Sequence, residues 1–125
     1  MKRAMYLLAI GLFCASSLLF LGQTDNTSVE INKAISSGNT ENLAVYFAPE
    51  MELNLQNSQN YCSKSQATKV LQEFFRQNKP SDYVSDNNRN YISGVMKTSE
   101  GKSYKVNYTL KTVNNQAVIT GLYVY

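Results

Sequence analysis

The chain has 125 residues, 43% of them hydrophobic and 11% aromatic, enough for one compact domain and too few for two. Twelve Lys and Arg against nine Asp and Glu give a net charge of +3, too weak to support a nucleic-acid binder. No His is present, which removes the commonest general base and metal ligand together and leaves carboxylates, tyrosines, lysines and two cysteines as the available chemistry.

The first segment has the layout of an export signal. Lys2 and Arg3 precede an apolar run from Tyr6 to Leu21, and the polar Gln23, Thr24, Asp25 and Asn26 follow. As a helix such a run reaches roughly 25 Å at about 1.5 Å per residue, the short limit for spanning a bilayer. Residues 1–22 are therefore expected to be a signal peptide, cut after Gly22 in preference to the Ala15–Ser17 region. Residues 23–27 then form a short tail ahead of a single domain at 28–125, which is exported to the periplasm or beyond without a stable membrane anchor. Cleavage removes two basic residues and no acid, leaving ten against nine. It also removes Cys14, whose approach Gly11-Leu12-Phe13 is poor for lipidation. Cys62 is left without an intramolecular disulfide partner and is expected to be a small buried hydrophobe in a strand.

Thr27 with Glu30 has the form of a capping box, and Ile31, Ala34 and Ile35 share one helical face before Gly38. Asn39 can cap a second helix, in which Leu43, Tyr46 and Phe47 keep the helical spacing until Ala48 and Pro49. The period then switches to two: Met51, Leu53 and Leu55 alternate with Glu52, Asn54 and Gln56, and the turn residues Asn57 and Ser58 lead into a return strand over Gln59–Cys62. Ser63 with Gln66 makes a second capping box. Ala67, Val70, Leu71, Phe74 and Phe75 trace the apolar stripe of a long helix that ends before Lys79-Pro80, with Leu71 and Phe74 as core.

From residue 81 on, Tyr, Val, Ile and Thr dominate, and turn residues at 87–88, 99–102 and 114–115 mark out strands near 82–87, 90–98, 103–113 and 116–125. In the third of these, Tyr104, Val106, Tyr108 and Leu110 alternate with Lys105, Asn107, Thr109 and Lys111, one face dry and one wet. The last places Val118, Leu122 and Val124 on one face and Ile119, Tyr123 and Tyr125 on the other, the pattern of a central strand covered on both sides, with a second copy of the protein as the expected cover. The elements predict an α+β architecture, helices packed on a curved antiparallel sheet.

The stretches Ala34-Ile35-Ser36-Ser37-Gly38-Asn39, Leu43-Ala44-Val45-Tyr46-Phe47, Ser65-Gln66-Ala67 with Leu71, Phe74 and Phe75, and the strand from Tyr104 to Leu110 resemble a family of small exported Bacteroidota proteins classed as a domain of unknown function. The likeness spans about residues 28–125. It implies the cone-shaped α+β fold of nuclear transport factor 2-like and cystatin-like proteins, N-terminal helices plus one long helix on a curved sheet, and it supplies no catalytic residues.

Some members of that broader fold group move a proton with a pocket carboxylate and a Tyr hydroxyl. Here Glu52 alternates away from the apolar positions, and Asp82 and Asp86 flank turns, so all three are expected at the surface. Tyr61, Tyr83, Tyr91, Tyr104 and Tyr108 are the candidate ligand-binding residues, as the lining of an apolar pocket, with core filling as their plainer role. No spacing suits a metal or a cofactor, the glycines stand apart rather than in a phosphate loop, and Lys102, Lys105 and Lys111 suit a solvated sheet face better than a single-stranded nucleic-acid platform. The expected function is a non-enzymatic exported binding module of the cell envelope for a small apolar ligand or an envelope protein. A small lyase or isomerase using a carboxylate and a Tyr, and a structural homodimer formed through the sheet, are the alternatives.

Overall fold

In a computed structural model that describes residues 27–56, 58–86 and 88–125, the chain forms three helices and six strands. The expected signal peptide, its cut, Cys14 and the turn residues Asn57 and Asn87 lie outside the described residues. Helix α1 is described over residues 27–37, with Ile31, Ala34 and Ile35 on its buried face. It ends at Gly38, whose φ of +68° lets its N–H reach Ile35 O while Asn39 N–H reaches Ala34 O. A Cβ at that position would stand 2.9 Å from Pro80 Cδ, so glycine is required both for the turn and for the close approach.

Helix α2 is Thr40–Ala44, with Asn39 capping Asn42 N–H as the sequence predicts. It stops sooner than expected. Pro49 biases Ala48 toward extended backbone, and Phe47 and Ala48 are buried as the opening of strand β1, Phe47–Leu55, rather than as the last turn of a helix. Strand β2, Ser58–Ser63, returns antiparallel to β1, and helix α3, Lys64–Gln77, follows at once. The Ser63–Gln66 capping box forms with both of its hydrogen bonds.

The remaining strands are β3 (Pro80–Ser85), β4 (Tyr91–Thr98), β5 (Ser103–Val113) and β6 (Gln116–Val124), joined as a meander. The last turn places Asn114 and Asn115 both at positive φ, the geometry a tight hairpin demands. The spatial order is β2-β1-β6-β5-β4-β3. Every pair is antiparallel except β1 with β6, so the sheet is mixed, not antiparallel throughout. Alternation in a sequence records which face a residue takes, not strand direction. The long path from β1 to β6 places no hairpin constraint on that direction.

All three helices contribute to the core on one face of the sheet. Ile31 and Ile35 of α1, Leu43 of α2 and Leu71 of α3 meet Met51, Met96, Val106, Tyr108, Leu122 and Val124 there, all fully buried, and each such side chain contributes about 1.5–3 kcal/mol. Two details of the expected core shift. On α3 the buried line is Ala67, Leu71 and Phe75, so the helix is rolled and Phe74 is only half-buried, edge-on to Tyr104 with ring centroids 5.4 Å apart. On β6 the register slips opposite Thr109 and Leu110, so Thr120 and Gly121 both face outward. Ile119 thereby joins Leu122 and Val124 inside instead of lying opposite them.

Candidate functional site

The five candidate tyrosines divide by strand parity. Tyr83, Tyr104 and Tyr108 share the inner face with Met96, Val106 and Leu122. The Tyr83 hydroxyl donates to Val106 O at 2.6 Å, that of Tyr104 to Asn78 Oδ1 at 2.9 Å and that of Tyr108 to Asn32 Oδ1 at 2.9 Å. Burial pushes the Tyr108 hydroxyl up to about 12 and raises that of Tyr83 further. Ionising either would strand a negative charge among apolar side chains. These rings pin the helices and the far strands to the sheet; their polar ends are already engaged.

Tyr61 and Tyr91 lie on the other face. Tyr91 is opposite Thr109 and tilts against Tyr123, with ring centroids 6.4 Å apart, and Asn107 Nδ2 donates to its hydroxyl at 3.1 Å. The Tyr123 hydroxyl donates to Glu52 Oε2 at 3.1 Å; partial burial, and then this bond to a carboxylate, raise its pKa. This pair joins a carboxylate to a tyrosine, but Glu52 sits where alternation places it, on the face the helices leave uncovered. Glu30, Glu41, Glu50, Glu73, Asp82, Asp86 and Glu100 are exposed, so none of the described acids reaches the interior. Among the described residues no group of three or more Cys, Asp or Glu is placed to hold a metal ion.

A concave feature lies at one sheet edge. A groove of about 430 Å³ runs between β2 and α3, lined by Leu53, Asn60, Tyr61, Cys62, Gln66, Lys69 and Val70. Three local patterns build it. Register pairs Leu53 with Asn60 and Met51 with Cys62, which turns Asn60 and Cys62 toward the helix side. The capping box starts α3 directly at the end of β2, and the helical spacing of Gln66, Lys69 and Val70 forms the opposite wall. The roll of α3 that buries Phe75 leaves Val70 45% exposed over this groove. Tyr61 is the member of the candidate set among the groove residues, but its ring, opposite Glu52, is 72% exposed on the other face of the edge strand.

Cys62 is half-buried there, and burial pushes its thiol up, away from the thiolate that nucleophilic chemistry needs. The lining offers an apolar floor, two amides, one cation and no acid. It holds no carboxylate and no activated nucleophile. Sequence patterning missed the groove because Val70 and Cys62 read as core positions. The available signal was the lack of any linker between strand and helix.

Comparison with known proteins agrees with this architecture. Residues 28–124 match the domain of unknown function DUF4783. No curated protein matches the chain. Among solved structures, a DUF4783 family protein from Bacteroides ovatus is 27% identical, with a TM-score of 0.69 over 76% of this chain and 90% of that one. One from Bacteroides fragilis is 24% identical, with a TM-score of 0.72 over 77% and 94%. An NTF2-like protein of unknown function from Cytophaga hutchinsonii is 15% identical, with a TM-score of 0.56 over 82% and 88%, a likeness of fold alone. The chain belongs to the DUF4783 family and has an NTF2-like α+β fold.

Proposed function

Starting from that family membership, we propose that the chain is an exported binding module of the cell envelope, that it performs no covalent chemistry, and that the groove between β2 and α3 is where it binds. Export is supported by Lys2 and Arg3 ahead of the apolar run to Leu21. Binding is supported by one contrast: the inner tyrosine hydroxyls are consumed by Val106, Asn78 and Asn32, whereas the groove leaves Val70 and Lys69 exposed above the buried Leu53. The lyase or isomerase reading needs a carboxylate enclosed with a tyrosine. Glu52 and Tyr123 are adjacent on the face the helices leave uncovered, and among the described residues no substrate-sized cavity encloses them.

A photoreactive phenylalanine analogue placed at Val70, with one at exposed Val45 beyond α2 as control, tests the reading in the native host. A discrete cross-linked adduct from position 70 and none from position 45 supports it. No adduct at either, or the same adducts at both, contradicts it. Intact mass of the purified protein reads the export step, with a mature start at Gln23 expected.

A sheet-mediated homodimer is favoured by a separate observation, that Val84, Tyr91, Val95 and Tyr125 are exposed on the uncovered face. Sedimentation velocity tests it: a dimer dispersed by Tyr91→Ser with Val95→Ser supports this use of the face, and a monomer at all concentrations removes it.

A further inference from the structure

The two edges of the sheet are built differently. On β3, Pro80 has no N–H to offer, the register slips between Pro80 and Asp82, and the Asp82 carboxylate takes the Tyr83 N–H at 2.9 Å. Asn32 of α1 closes the far end by donating to Ser85 Oγ at 2.8 Å. These devices keep another strand from pairing there. Strand β2, Ser-Gln-Asn-Tyr-Cys-Ser, has none of them: no proline, no charge and an unbroken register with β1 from Ser58 to Ser63. Its far side has no strand neighbour. The groove opens beside this edge, with Gln66, Lys69 and Val70 of α3 above it.

An edge strand flanked by a helix is a receptacle for an extended chain, because main-chain hydrogen bonds to the strand supply affinity and alternate side chains drop into the space beneath the helix. Resting on the reading of the groove as a binding site, we propose that its occupant is an extended acidic segment of another protein, which adds to the sheet as an additional strand beside β2. One apolar side chain of that segment lies over Leu53 and Val70, and a carboxylate meets Lys69. The sign of the charge follows from the lining, which contains Lys69 and no acid, with Lys64 exposed at the adjoining start of α3. A second copy of β2 brings no acid to answer these lysines, so charge disfavours self-pairing.

The test is selection of a random dodecapeptide display library on the purified protein, followed by NMR mapping of a synthetic copy of the enriched sequence. Enriched peptides are expected to alternate apolar residues with at least one Asp or Glu, and to shift the amides of residues 58–63 and 66–70. Their affinity should fall about tenfold or more in Lys69→Glu, a variant at an exposed site that leaves the core untouched. N-methylation of alternate backbone amides in the peptide should abolish binding in at least one of the two registers. Shifts confined to the groove with affinity unchanged by either methylation pattern would overturn strand addition while leaving the groove as a binding site. Enrichment of basic peptides, shifts on the outer sheet face, or no enrichment would overturn the proposal, and photo-cross-linking at Val70 decides separately whether the groove binds anything.

Discussion

Tyr108 and Tyr61 are both strand tyrosines, yet one is fully buried and the other 72% exposed. Tyr108 sits opposite Ile92 and Leu122 with its hydroxyl fixed on Asn32, a long-range bond that ties α1 to the centre of the sheet. Tyr61 sits opposite Glu52 at an unprotected edge and holds nothing in place. The contrast shows that tyrosine content alone does not mark a pocket. A ring whose hydroxyl is satisfied internally is structure, and a ring left exposed at a sheet edge is available for recognition.

The sharpest way to break this contrast is truncation. Tyr108→Ala should cost about 3–5 kcal/mol in a denaturant titration, against under ~0.5 kcal/mol for Tyr61→Ala. Similar losses at the two positions would erase the distinction. Gly94→Ala comes next. Its Cβ would stand 2.5 Å from the Tyr83 ring, so the ring must move out of its contact, at a cost of about 1–3 kcal/mol. Removing only the hydroxyl in Tyr83→Phe should cost about 0.5–1.5 kcal/mol, since the ring stays packed and Val106 O loses a donor.

A pH-dependent effect is expected in alkali. The folded state holds Tyr108 neutral up to about 12 against an ordinary tyrosine value of 10.0, and Tyr83 likewise above its ordinary value. The unfolded chain therefore releases those protons first. Stability is unaffected by these groups below about pH 10 and should decline as pH rises from about 10 toward 12, a slope that Tyr108→Phe should shallow. Equal slopes for the parent and the variant in pH-dependent chemical denaturation would show that Tyr108 is not held in this way.

Much of this architecture was legible in the residues, and the failures have physical causes. The Ser63–Gln66 capping box, the Asn39 cap and the alternation of β5 are local patterns, each decided within a few residues, and all three hold in the structure. The parallel pairing of β1 with β6 and the slip beside Thr109 depend on distant parts of the chain meeting, which periodicity does not encode. The shift of Ile119 to the inner face is a consequence of that slip. Phe74 was misplaced because an apolar stripe five residues wide leaves the roll of α3 undetermined, and packing against β1 selects Ala67, Leu71 and Phe75. The division of the tyrosines was within reach: in β4, Ile92, Gly94 and Met96 claim the inner face, which sends Tyr91 outward. The groove was only hinted at by the missing linker between β2 and α3, since its walls form where the rolled helix overhangs the edge strand.

Hydrogen exchange across residues 58–63 addresses the central claim most directly, comparing protein purified from its own envelope under native conditions with the same protein unfolded, stripped of partners and refolded. The account predicts slower exchange of the β2 amides in the native preparation, with unchanged rates along β3. Equal β2 rates in the two preparations, or slowing on β3 instead, would contradict a binding edge at β2.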